Sequence, residues 1–250
     1  MTRRPDRIGE ADEHDARAAV VATALAMSRS GLSPGRSGNV SCRFGGGMLI
    51  TPTGMAYEMT TPDDIVAVAA DGSGAAGQRT PSSEWRFHLA AYAARPDRHA
   101  IVHTHSMHAT VLACAHKPIP AFHYMVAVAG GDDIPLVPYA TFGTDKLAEH
   151  VALGLAERDA CLMANHGQIA MGRTLEAALE LAGEIEQLAE QYCKVLLLGA
   201  PHVLDAAAMR DVIERFASYG QQVTSGAGSG GTASARLRKK RASKPSPTDP

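Results

Sequence analysis

The sequence predicts an α/β fold: a single domain with a mainly antiparallel central sheet flanked by helices. Three observations carry that expectation. Short β-rich runs come in close pairs separated by turn residues, as hairpins do. Longer segments with helical periodicity and recognisable start and stop residues lie between those pairs. The chain has 250 residues, 45% of them hydrophobic and 20% charged, enough apolar side chains for one sizeable core. The alternation is not the regular βαβ of a parallel sheet. No G-x-G-x-x-G follows a strand and no Walker loop occurs, so neither common nucleotide-binding fold is supported.

The elements follow in order. Residues from about Ala11 to Ser30 read as a helix carrying Val20, Val21, Leu25 and Met27, stopped at Gly31. A turn-rich loop, Pro34 to Asn39, leads into strands Val40 to Phe44 and Met48 to Thr51, joined by Gly45-Gly46-Gly47. Ile65 to Ala69 is a third strand, ended at Asp71-Gly72. Thr80 and Pro81 suit the N-cap and first position of a helix that reaches Ala94 and stops before Pro96. His99 to His105 is a strand, and Ser106 to His116 a helix ended by Pro118. Pro135 to Tyr139 is extended, and Thr144 caps a helix to about Arg158. Cys161 to Asn165 and Gln168 to Met171 are strands around His166-Gly167. Thr174 opens a long helix to Leu198, and Asp205 opens the last, to Tyr219. Residues 1–220 form the predicted domain. Residues 221–250 are Gly/Ser-rich, then basic, then Pro-rich, and are expected to be disordered.

Composition narrows the setting. Cys42, Cys114, Cys161 and Cys193 are widely spaced with no C-x-x-C pair, which favours a reducing compartment. The first residues, basic and then acidic, contain no apolar h-region, and no apolar run is long enough to span a bilayer. A cytoplasmic protein is expected. The net charge of −2 gives no reason to expect nucleic acid or membrane as a partner.

Two constellations point to chemistry. His103 and His105 flank Thr104 at the end of an apolar strand, so a side-chain period of two turns both imidazoles to one face. His166 follows a second strand and precedes Gly167, where the chain can turn sharply. Three neutral imidazoles suit Zn2+ and leave a position open. Against this stands the ordinary fate of histidine as a hydrogen-bonded structural residue. His88, His99, His108, His116, His123, His150 and His202 receive that reading. H-x-E with P-C-x-x-C is absent, so a zinc deaminase is a poor match.

The second constellation is an anion cradle. Ser82 and Ser83 sit at a predicted helix start, where backbone N–H groups are unpaired and the dipole is positive. On these residues alone, simple capping is the commoner role. The loops Ser37-Gly38-Asn39 and Thr51-Pro52-Thr53-Gly54 could add donors if they converge there. Glu84, next to the serines, would then bring a potential general base to a bound phosphate, although a glutamate at a helix start often only complements the dipole.

Pro81 to His88, His103-Thr104-His105 and Asn165-His166-Gly167 resemble the class II aldolase/adducin family. So do Gly38-Asn39-Val40-Ser41, Leu49 to Gly54, His123-Tyr124-Met125 and Pro138 to Thr144. The resemblance runs from about Ala18 to Tyr219. It implies that His103, His105 and His166 hold zinc, with Glu84 as fourth ligand in the resting site and proton shuttle in turnover. It implies that Gly38, Asn39, Thr53, Gly54, Ser82 and Ser83 bind a substrate phosphate. Tyr124 would act as the acid at the aldehyde oxygen, and Phe142 and Tyr219 would shape the aldehyde pocket. The site would lie between subunits of a fourfold-symmetric homotetramer. The implied reaction is reversible cleavage of a ketose 1-phosphate, foremost L-fuculose 1-phosphate, to dihydroxyacetone phosphate and a short aldehyde (L-lactaldehyde).

A Schiff-base route needs a buried lysine. Before the tail the chain has only Lys117, Lys146 and Lys194, none placed like such a nucleophile. Departures from the family are Arg36 beside the phosphate loop, Asn165 in place of a second histidine, and the long basic tail. The same scaffold also serves pentulose-phosphate epimerases, dehydratases and decarboxylases, and a non-catalytic interaction module as in adducin. These remain the alternatives.

Overall fold

A computed structural model describes residues 6–218. Tyr219 and the tail lie outside the described residues. The chain forms α1 (Asp6–Arg29), β1 (Asn39–Phe44), β2 (Gly47–Ile50), β3 (Val66–Val68), α2 (Trp85–Ala94), β4 (Ala100–Thr104), α3 (Met107–Cys114), β5 (Leu136–Val137), α4 (Asp145–Leu155), β6 (Ala160–Met163), β7 (Gly167–Gly172), α5 (Leu175–Leu198) and α6 (Ala206–Ser218). The strands make a seven-stranded sheet in the order β3-β2-β1-β4-β7-β6-β5. Every pairing is antiparallel except that of β5 with β6. The predicted α/β class and mainly antiparallel sheet are therefore what forms.

Helices cover both faces of the sheet. Val40, Leu49, Val102, Leu162 and Ala170 point to one face and pack with residues of α1, α3 and α5. Met48, Ile50, Ile101, Met163 and Ile169 point to the other, against Phe87, Ala91 and Tyr92 of α2 and Val151 and Leu155 of α4. Neighbouring strand residues thus go to opposite cores, as the period of two requires, and neither face needs polar alternation. Fully burying side chains of this size stabilises by about 1.5–3 kcal/mol each. The β1–β2 hairpin pairs Phe44 with Gly47, so its loop is Gly45-Gly46 alone, both at positive φ. That is the two-residue turn glycine favours.

The first helix begins at Asp6, ahead of the expected Ala11, and β5 is shorter than the expected Pro135 to Tyr139, but the boundary that matters for the site is that of α2. The helix predicted from Thr80 starts at Trp85, with Glu84 at the N-cap. Residues before it are drawn into extended pairing instead: Pro81 bridges Pro52, Ser82 N–H donates to Thr51 O (3.0 Å) and Thr53 N–H to Thr80 O (3.0 Å). These bonds bring the 51–54 loop beside the serines. Among the described residues no helix is long and apolar enough to cross a membrane. Cys42, Cys114, Cys161 and Cys193 are all unpaired.

Candidate active site

The site forms where β4, the β6–β7 turn and the start of α2 meet. His103 lies on the α2 face of β4, fully buried, and His105 follows just past the strand end. His166 occupies the turn from β6 to β7. Asn165 before it takes a left-handed conformation, φ 54°, held by a hydrogen bond that its Oδ1 accepts from His116 Nε2 (2.7 Å) and one that its N–H donates to Ala113 O (3.2 Å). The three rings stand nearly perpendicular to one another with centroids 4.9 Å apart.

Glu84 completes the group. Its Oε2 is 3.2 Å from His103 Nε2 and its Oε1 is 2.9 Å from His166 Nε2, while His105 Nε2 is 3.1 Å from His103 Nε2. All four ligand atoms lie within 4.8 Å of one another. A tetrahedral ion with bonds of about 2.0–2.1 Å needs ligand atoms about 3.3–3.4 Å apart. The spacing therefore fits a metal with a slight expansion. The donor set fits as well. His103 Nδ1–H donates to Gln168 O (2.7 Å), which leaves the Nε2 lone pair aimed into the site. Burial, then the adjacent His103 and His166, push His105 down to about 3, so its ring is a neutral ligand at neutral pH. Burial works against the Glu84 carboxylate, but His103 and His166 outweigh it and hold the group well below the usual carboxylate range. These four residues could hold a divalent metal.

The Glu84 side chain does not cap its own helix. It is 6% exposed and receives a hydrogen bond from Asn39 Nδ2 (2.8 Å). Asn39 Nδ2 also donates to Ser82 Oγ (3.0 Å), which accepts a further, longer contact from Glu84 N–H (3.4 Å). With its lone pairs engaged, the Ser82 hydroxyl has its own proton to offer a ligand.

A pocket of about 410 Å³ opens beside this group. It is lined by Gly38, Asn39, Thr53, Gly54, Ser82 and Ser83, and also by Glu84, His105, His166 and Phe142. The two loops proposed from sequence as donors thus converge on the serines. Tyr57 OH donates to Gly38 O and anchors one loop. Arg36 Nη1 donates to Gly54 O (2.9 Å) and ties the two together at the rim. Tyr124 lies elsewhere: it opens a 3₁₀ turn, Tyr124–Ala129, is half exposed, and is not among the pocket's lining residues. Tyr219 lies outside the described residues. Sequence reasoning gave no role to Tyr139, an exposed aromatic lining the pocket, or to the Gln168 carbonyl that orients His103. A backbone carbonyl has no signature in the sequence. Lys117 is exposed, and Lys146 and Lys194 pair with Glu149 and Glu190 at the surface, so none of these lysines is a buried nucleophile.

Gly167 sets how closely β7 approaches β4. A Cβ there would meet Thr104 O at 2.4 Å and His105 Cδ2 at 3.1 Å. Gly167→Ala is expected to cost about 1–3 kcal/mol by overpacking and to displace His105. Thermal melts and metal stoichiometry check this; a variant with unchanged metal content contradicts it.

A sheet carrying three imidazoles and a carboxylate beside an anion cradle defines a class before it defines a substrate. The chain belongs to the class II aldolase and adducin family: residues 18–193 match the Class II Aldolase and Adducin N-terminal domain. It is 50% identical over 201 residues to the 5-methylthioribulose-1-phosphate/5-deoxyribulose-1-phosphate aldolase of Rhodospirillum rubrum, covering 80% of this chain and 90% of that one. It is 49% identical over 205 residues to the L-fuculose phosphate aldolase of Escherichia coli K12, covering 82% and 95%. Among solved structures it matches an L-fuculose 1-phosphate aldolase with a TM-score of 0.78 at 38% identity, covering 81% and 96%.

Proposed function

We propose that this chain is a zinc-dependent class II aldolase that reversibly cleaves a ketose 1-phosphate to dihydroxyacetone phosphate and a short aldehyde. The observation that carries this reading is the Glu84–His103–His105–His166 group lying directly beside the Ser82–Ser83 cradle. A metal held by the first and a phosphoryl group held by the second would lie within one small substrate's length.

Zinc at His103, His105 and His166 would act as a Lewis acid on the ketose carbonyl and its neighbouring hydroxyl. Gly38, Asn39, Thr53, Gly54, Ser82 and Ser83 hold the phosphate. Glu84, oriented by Asn39, moves the proton at the carbon that gains electrons when the carbon–carbon bond breaks. Phe142, exposed at the mouth, and Tyr139 beside it offer an apolar wall to the aldehyde end. Tyr124, half exposed and outside its own chain's pocket, fits a homotetramer in which it serves a neighbouring subunit as the acid at the aldehyde oxygen.

L-fuculose 1-phosphate is the first substrate to test. A second reading, 5-deoxyribulose or 5-methylthioribulose 1-phosphate, is favoured by the 50% identity to the Rhodospirillum relative. Both readings put the phosphate on carbon 1 and an apolar group at the far end. A panel of these ketose 1-phosphates, coupled to dihydroxyacetone phosphate detection with and without chelator, decides. The expected result is chelator-sensitive release from at least one. No release from any of them overturns the aldolase reading.

A further inference from the structure

A buried polar seam runs between β1 and α2, and only Asn39 and Glu84, at its site end, take part in the chemistry described above. Asn39, Ser41 and Arg43 alternate along β1 and face α2, while Glu84, His88 and Tyr92 recur every fourth residue at the start of and along α2. Two strand residues advance about 6.8 Å and four helical residues about 6.0 Å, so the two rows stay in step. Ser41 and His88 are wholly buried, and Asn39 and Tyr92 are 3% exposed.

The bonds along the seam have one consistent polarity. Asn39 Nδ2 must be the atom facing Glu84 Oε2, because Oδ1 there would set acceptor against carboxylate. Asn39 Oδ1 therefore faces His88 Nε2 at 2.5 Å, which requires His88 to carry its proton on Nε2. His88 Nδ1 must then accept, and Ser41 Oγ donates to it at 2.7 Å. Tyr92 OH, 2.9 Å away, donates to Ser41. Arg43 secures the far end. Its guanidinium lies over the Tyr92 ring, 4.6 Å from the centroid, and it donates to the carbonyls of Tyr92, Arg95 and Arg98. Desolvation, then the neighbouring His103, push the His88 imidazolium down to about 3, so the ring is neutral, as the seam requires.

We propose that His88 is a positioning residue for Glu84: its Nε2–H locks the Asn39 amide so that Nδ2 points at the carboxylate, and the Ser41 hydroxyl keeps His88 in that tautomer. Without it, the Asn39 oxygen loses its buried partner, the amide is no longer fixed on that side, and the base is less firmly held where it meets the substrate. The inference rests on the aldolase reading for its kinetic consequence, but not for the tautomer itself.

The test has two arms on the full-length protein. In the metal-free wild type, nitrogen NMR of the imidazoles is expected to show one buried ring in the Nε2–H form with a slowly exchanging proton. Ser41→Ala is expected to weaken that preference. In the zinc-loaded protein, His88→Phe is expected to lower kcat about 10- to 100-fold with zinc content nearly unchanged. His88→Gln, whose amide can donate to Asn39, is expected to recover most of the rate. Ser41→Ala, a small truncation that keeps the fold if His88→Phe does not, is expected to lower kcat less, in the same direction. An Nδ1–H tautomer, a wild-type kcat in folded His88→Phe or Ser41→Ala, or His88→Gln as slow as His88→Phe at equal melting temperature, overturns the proposal. If the wild type cleaves no ketose phosphate, the aldolase reading fails and the NMR arm alone decides for or against His88.

Discussion

Glu84→Gln is expected to lose about 10²–10⁴-fold in kcat, the usual contribution of a positioned proton-transfer group, while retaining most of its zinc. The side chain is buried between Asn39 and His166, and a glutamine has the same shape. Its amide oxygen can accept from Asn39 as the carboxylate does. Three imidazoles remain to hold the ion. What is lost is a group that can take a proton and return it. Turnover at saturating substrate and zinc stoichiometry, measured on one sample, check this. A near wild-type rate contradicts the proton-shuttle role, and loss of zinc with loss of rate would make Glu84 chiefly a ligand.

Withdrawing the metal is expected to have the second large effect. Chelation should abolish turnover, and zinc should restore it. It should also lower stability, because an ion that binds only the folded state contributes about 4 kcal/mol when free metal exceeds the dissociation constant a thousandfold. For a domain of this size that is a melting shift on the order of 10 °C. The shift should disappear in His103→Ala, whose ring is fully buried at the centre of the group. Unchanged melting and turnover after exhaustive chelation contradict a metal role.

Much of this site is written in local sequence. The period of two puts His103 and His105 on one side, and the observed 3.1 Å between their Nε2 atoms is what that pattern anticipates. Gly45-Gly46 announces its hairpin, and Thr144 and Thr174 cap α4 and α5 as read from the chain. The convergence of His166 and Glu84 was not legible from spacing, since it depends on β4 pairing with β7 and on α2 packing over that sheet face. The start of α2 was misplaced because Thr80-Pro81 carries good capping chemistry locally, and pairing with Thr51 to Thr53 overrides it. His88 looked like a satisfied core histidine, and it is one. Its link to Glu84 shows only when N-x-S-x-R on β1 is set against E-x-x-x-H-x-x-x-Y at α2, two rows that touch only in the folded protein.

The most direct test is anomalous scattering at the zinc edge from crystals of the zinc-loaded protein. The expected result is one strong peak about 2.0–2.1 Å from Nε2 of His103, His105 and His166, with Glu84 on the fourth side. A peak elsewhere, or an ion bonded to fewer than three of those rings, contradicts the account.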